Sequence, residues 1–91
     1  MCPSSVAVDS AGNVYVTDSW NEAIYKLTLS GGVYSTPVEI ASHSDNSSVT
    51  YPIGVAVDGS GNVYVSDYAY GIYLLTPSDS GYGMTMFPPP V

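Results

Sequence analysis

Four aspartates recur in pairs and are the first candidates for chemistry. Asp9 opens the phrase Asp9-Ser-Ala-Gly-Asn13 and Asp58 opens Asp58-Gly-Ser-Gly-Asn62, while Asp18 and Asp67 follow Val-Tyr-Val-Thr17 and Val-Tyr-Val-Ser66. Carboxylates from successive turns can ring a calcium ion with oxygens. The Asp-x-Asp-x-Asp-Gly spacing of a calcium loop is missing, however. An Asp at the head of a tight turn is accounted for more simply as an acceptor for that turn's own amides. These residues are therefore expected to be structural, with no metal.

The histidine, His43, stands between Ser42 and Ser44, with Asp45 next. A Ser–His–Asp triad draws its members from elements that converge in space, which neighbours in one loop do not do. His43 reads as a solvated loop residue. A catalytic zinc needs about three protein ligands, more than one His and one Cys can supply. Cys2 has no partner for an intramolecular disulfide, and nothing beside it in the sequence would activate a thiolate. The expectation is no catalytic residue and no cofactor.

The aromatic load is the richer source of candidates, with 9 Tyr and 1 Trp in 91 residues. Tyr15, Tyr25, Tyr64 and Tyr73 fall inside apolar runs, where packing is the expected role. Trp20, Tyr51, Tyr68, Tyr70 and Tyr82 fall at turns or at the ends of such runs. Exposed rings there offer large contact area at small entropic cost, so these five are the candidate partner-binding residues, for protein or glycan. Asn46-Ser47-Ser48 is an N-glycosylation triplet in a polar loop, which makes Asn46 a candidate modification site in a secreted setting.

Charge narrows the partners. Eight carboxylates face one Lys and no Arg, for a formal net charge of −7. Binding along a phosphate backbone, or to an anionic membrane surface, needs a cluster of cations that this chain lacks. No run approaches the ~20 apolar residues of a membrane-spanning helix. The chain shows no basic segment followed by an apolar leader, so an exported protein would carry its leader outside this sequence. Low charge and abundant Ser and Thr suit a secreted or cell-surface protein, with the cytoplasm as the alternative.

The elements that must position these residues follow from a repeat. Pro3-Ser-Ser-Val-Ala-Val-Asp-Ser-Ala-Gly-Asn-Val-Tyr-Val-Thr-Asp18 lies over Pro52-Ile-Gly-Val-Ala-Val-Asp-Gly-Ser-Gly-Asn-Val-Tyr-Val-Ser-Asp67. After a one-residue deletion the match resumes, with Ile24-Tyr-Lys-Leu-Thr28 over Ile72-Tyr-Leu-Leu-Thr76. The chain is thus two copies of a unit of about 48 residues, divided as 1–46 and 47–91. Each copy reads as four short strands: Val6–Val8, Val14–Thr17, Ala23–Leu29 and Val38–Ser42, then Val55–Val57, Val63–Ser66, Ile72–Thr76 and Gly83–Phe87. The Asp-x-x-Gly-Asn phrases supply hairpin turns. The Ser-rich stretch from Ser42 to Pro52 links the copies as an exposed loop, and Pro88-Pro-Pro-Val91 ends the last strand. No helical periodicity competes, so the class is all-β. The runs Val6-Ala-Val8, Val14-Tyr-Val16 and their counterparts are apolar at both parities, which requires cover on both faces of the sheet. A four-stranded sheet that repeats and buries both faces of its inner strands is what a β-propeller blade or a stacked-sheet array requires.

The phrase Pro52-Ile-Gly-Val-Ala-Val-Asp-Gly-Ser-Gly-Asn-Val-Tyr-Val-Ser-Asp67 resembles the NHL repeat, the unit of a family of usually six-bladed β-propellers, and is similar in particular to bacterial arrays of it. The resemblance covers nearly the whole chain, twice. It departs from the usual pattern where Ser5 replaces the glycine kept at Gly54 and where Ala23 replaces an arginine. The second copy also loses the asparagine that Asn21 keeps in the first. The family's RNA-binding branch is similar in fold only, since a basic face is lacking, and its lyase branch depends on a histidine-ligated metal. What the resemblance implies is two four-stranded antiparallel blades, a partial propeller that needs more blades from other copies or from a longer chain. The function expected is a non-catalytic module for protein or glycan binding and self-assembly, in a ring or a filament, as an extracellular scaffold. The alternative is a fragment of a larger propeller enzyme or sensor whose active blades are absent.

Overall fold

A computed structural model describes residues 2–87. Strands β1 (Pro3–Val8), β2 (Val14–Asp18), β3 (Ala23–Leu27) and β6 (Val38–Ser42) form one antiparallel sheet in that order. Strands β7 (Pro52–Val57), β8 (Val63–Asp67), β9 (Gly71–Ser78) and β10 (Gly81–Met86) form the second. Two short strands, β4 (Leu29–Ser30) and β5 (Val33–Tyr34), make a separate ribbon. The molecule is all-β and open, two blades of a propeller rather than a closed ring. The expected end of the last strand at Pro88–Val91 lies outside the described residues.

The repeated turns form as their residues dictate. In the first, the Gly12 N–H donates to the Asp9 carbonyl at 3.0 Å and Gly12 takes φ 87°; Gly61 does the same toward Asp58 at 3.1 Å with φ 84°. A side chain would strain that left-handed backbone. The copies differ at their outer hairpins. The continuous strand expected over Ala23–Leu29 breaks at Thr28, whose N–H donates to Ser35 Oγ at 2.9 Å. Pro37, which has no N–H, then follows before pairing resumes in β6. The second copy lacks this interruption, so β9 and β10 pair without a break from Tyr73↔Met86 to Ser78↔Gly81.

Strand register assigns every side chain to a face. Val6, Val8, Val14, Val16, Tyr25 and Leu27 share one face of the first blade, as Val55, Val57, Val63, Val65, Tyr73 and Leu75 do in the second. We call this the valine face. The opposite face, here the tyrosine face, carries Ala7, Tyr15, Thr17, Ile24 and Lys26 in blade one, and Ala56, Tyr64, Ser66, Ile72 and Leu74 in blade two. The blades stack head to tail: Tyr15, Ile24 and Ala41 from the tyrosine face of blade one share a core with Val63, Val65, Tyr73 and Leu75 from the valine face of blade two. The first strands of the two sheets, β1 and β7, run beside each other. The hydroxyl of Ser4 bridges them, donating to the Pro52 carbonyl at 2.8 Å.

The linker departs from the expectation of an exposed loop. Val49, an isolated apolar residue in a polar stretch, is fully buried in the core between the blades. The chain around it is tied down, with the Asn46 N–H donating to the Ser42 carbonyl at 2.9 Å and the Val49 N–H to the Asn46 carbonyl at 3.0 Å. Burial of one valine side chain is worth about 2 kcal/mol, enough to seat a loop whose own hydrogen bonds are already made.

Candidate interaction surfaces

The paired aspartates organise the turns. Asp9 Oδ1 accepts the N–H groups of Ala11 (3.0 Å) and Asn13 (2.9 Å), while its Oδ2 accepts Asn13 Nδ2 (3.1 Å) and the Tyr15 hydroxyl (2.9 Å). Asp58 repeats this set with Ser60, Asn62 and Tyr64. Asp18 and Asp67 are buried at the far ends of the central strands. Asp18 accepts N–H bonds from Cys2, Trp20 and Asn21, and the Asn21 side-chain amide at 2.9 Å. The second copy has no asparagine there, and Asp67 instead takes the Tyr73 hydroxyl at 2.8 Å beside the N–H groups of Thr50, Tyr51 and Ala69. Every one of these carboxylates is surrounded by donors, an environment built for an anion and unsuited to a cation. The structural reading of the aspartates accounts for the geometry.

These contacts move titrations in a consistent direction. Burial raises the Asp9 carboxyl, but the bonds from Tyr15, Asn13 and Ala11 outweigh it and hold the group below its usual range. Burial likewise opposes, and bonds from Asn21 and Cys2 overcome it, at Asp18; at Asp58 the Asn62 amide leads the downward shift. Tyr15 and Tyr73 are pushed well up by burial and by their Asp9 and Asp67 partners, Tyr25 up by burial and Asp18, and Tyr64 up by its bond to Asp58. A carboxyl lowered in the folded state stabilises above the unfolded value near pH 4, and loses that contribution as pH falls through the folded value. A phenol raised in the folded state stabilises below about pH 10 and loses it as pH rises. The thermal midpoint is therefore expected to be flat from about pH 5 to 9 and to drop on both sides. A midpoint that rose on acidification to pH 3 would contradict the turn geometry.

His43 does more than sit in solvent. Its Nδ1 lies 2.9 Å from the Val49 carbonyl oxygen and 3.7 Å from Glu22 Oε2, and the His43 backbone N–H donates to the Glu22 carbonyl at 2.9 Å. Glu22 holds φ 54°, the one non-glycine residue at positive φ among those described. Ser42 Oγ bonds Ser44 Oγ at 3.1 Å rather than the imidazole. The loop geometry clamps the linker and offers no nucleophile to a base.

The candidate aromatic residues separate into two groups. Trp20 (78% exposed), Tyr68 (74%) and Tyr70 stand out from the turns that follow β2 and β8. Tyr51 meets Tyr68 edge to face, ring centroids 5.8 Å apart, and with Thr50 and Ala69 they frame an apolar cleft of about 280 Å³. Tyr82 does not join them. It lies half-buried against the core, beside a cavity of about 220 Å³ at the outer edge of the seam that Asn46, Leu75 and Met84 also line. Asn46 is half-buried, its Oδ1 accepting the Ser48 N–H at 2.9 Å.

Two stacked blades were expected to leave two sheet faces bare, and the stacking direction decides which faces these are. On the valine face of blade one Val6 is 62% and Val8 59% exposed. On the tyrosine face of blade two Ile72 is 49% exposed, and Phe87 stacks on Tyr64 with centroids 6.5 Å apart and ring planes 4° from parallel. A shallow groove of about 240 Å³ runs across that face, lined by Gly54, Ala56, Tyr64, Ser66 and Ile72. Apolar alternation at both parities was the signal for two covered faces; which face of which copy stays open depends on the stacking direction.

Comparison with known proteins follows this geometry. Residues 1–24 match the family model of the NHL repeat. The matched segment contains β1, β2 and the turn after them. No curated protein matches the chain.

Proposed function

We propose that this NHL-repeat chain is a non-catalytic β-propeller-type module that binds protein partners and assembles with blades beyond its own pair, as an extracellular scaffold. The observation that carries this reading is the pair of uncovered apolar sheet faces. Monomeric soluble proteins seldom leave such patches open, and blades in an array bury them against neighbours. The four repeated aspartates are saturated by turn donors and His43 is tied to the linker, so these candidates serve the fold, which favours binding over catalysis. The exposed ring set of Trp20, Tyr51, Tyr68 and Tyr70 offers a second contact region, suited to a protein or a glycan because flat rings give area with few rotors to freeze.

The mass of the purified 91-residue chain, by light scattering behind a sizing column, tests assembly. Copies of 9.5 kDa closing into a ring would give a discrete species at about 28 kDa for six blades or about 38 kDa for eight. A mass that grows with concentration points to an open filament of the same contact. A stable monomer at all concentrations would remove self-assembly from the reading.

A further inference from the structure

The junction between copies can be specified from the junction inside the chain. We infer that the valine face of blade one from a second copy docks on the tyrosine face of blade two, repeating the contact that already joins the two blades. This rests on the self-assembly reading above and names its partner and its residues.

Three observations support it. First, on three of its strands the incoming surface matches one already seated: Val6, Val8, Val14, Val16, Tyr25 and Leu27 are identical, position by position, to Val55, Val57, Val63, Val65, Tyr73 and Leu75 of blade two. Second, the receiving surface keeps the key residues of the buried tyrosine face, with Ala56, Tyr64 and Ile72 in the places of Ala7, Tyr15 and Ile24. Third, three changes on the receiving face make it more apolar than the face already buried, although Ser66 stands in the place of Thr17 and Thr85 in that of Val38. Leu74 replaces Lys26, whose ammonium lies 5.6 Å from the centre of the Tyr15 ring at the seam. Ile53 replaces Ser4 at the strand bulge, and Gly54 replaces Ser5. A Cβ at Gly54 would meet the Ser66 hydroxyl, which would have to turn aside to admit it.

The direction of those changes is the decisive point. A blade that ends a stack needs a polar outer face to stay in solution. Among the described residues, the central strands of neither outer face are polar. The valine face of blade one keeps its six Val, Tyr and Leu residues, with Glu39 beside Tyr25 where Met86 stands beside Tyr73, and the tyrosine face of blade two has lost its lysine and two hydroxyls. A contact between two different faces of one chain is heterologous, so it propagates until its rotation closes a ring or continues as a filament. It also predicts that two identical faces do not pair with each other.

The test uses two variants, each disabled on one face only: Val6→Asp on the valine face of blade one and Ile72→Asp on the tyrosine face of blade two. Both positions are exposed in the single chain, so the fold is expected to survive, as checked by amide dispersion in NMR spectra; Val8→Asp and Leu74→Asp form a replacement pair if either fails. Wild type is expected to assemble, each variant alone to remain at 9.5 kDa, and an equimolar mixture to give one dimer of about 19 kDa joined through the two intact faces. Variants that still assemble like wild type would overturn the assigned faces while leaving self-assembly standing. Either variant forming a dimer by itself would overturn the heterologous contact. A monomeric wild type would overturn the self-assembly reading as well.

Discussion

Replacing Asp67 with alanine is expected to destabilise the chain by roughly 4 kcal/mol, measured by urea denaturation at pH 7. The residue is 4% exposed and accepts bonds from Thr50, Tyr51, Ala69 and the Tyr73 hydroxyl. Hydrogen bonds to a charged group contribute about 1.5–3 kcal/mol each, and donors stranded by the substitution lose their partners in a place water reaches poorly. A domain of this length has on the order of 5–14 kcal/mol in total, so the loss is a large share of it. Asp67→Asn separates charge from shape. The amide keeps one acceptor oxygen but turns an NH2 group toward donors, so most of the destabilisation should remain. An alanine variant as stable as wild type would show that the hydrogen bonds at the end of β8 are not what holds the second blade to the linker.

The second large effect contrasts two tyrosines that occupy the same place in the repeat. Tyr73→Ala is expected to cost about 3–5 kcal/mol, because it opens a cavity in the core and takes one buried donor from Asp67 Oδ2. Tyr25→Ala, on the uncovered valine face, is expected to cost at most about 1 kcal/mol in the dissociated chain. Tyr73 is fully buried and hydrogen-bonded to its aspartate, whereas Tyr25 is half-buried and Asn21 serves Asp18 in its stead. Chemical denaturation at low protein concentration reads both. Equal costs would mean that the two blades do not stack in the stated direction.

Much of this was legible in the residues. The two hairpin phrases specify their turns because glycine takes the left-handed backbone and the aspartate collects the turn amides. The double-parity valine runs required cover on both faces, and the four-strand unit followed from the spacing of turn signals. Other features were not legible. Both Tyr15 and Tyr64 were expected to pack between blades, yet Tyr15 is buried and Tyr64 lies on the open face; Tyr25 and Tyr73 divide the other way. Val49 read as part of an exposed linker because its neighbours are polar, and its burial depends on a core assembled from residues distant in the chain. Tyr82 sits near a hairpin end, as Tyr68 and Tyr70 do near theirs, but β10 runs long enough to carry it against the core.

The sequence by itself determined the unit: its strands, its turns and the structural duty of its aspartates. These are set by contacts between near neighbours, where residue type and spacing decide backbone geometry. Only the tertiary structure decided the order of the stack, and with it which of two near-identical copies buries which face. Two equivalent sheets can share only one interface, so the same side chains become core in one blade and surface in the other.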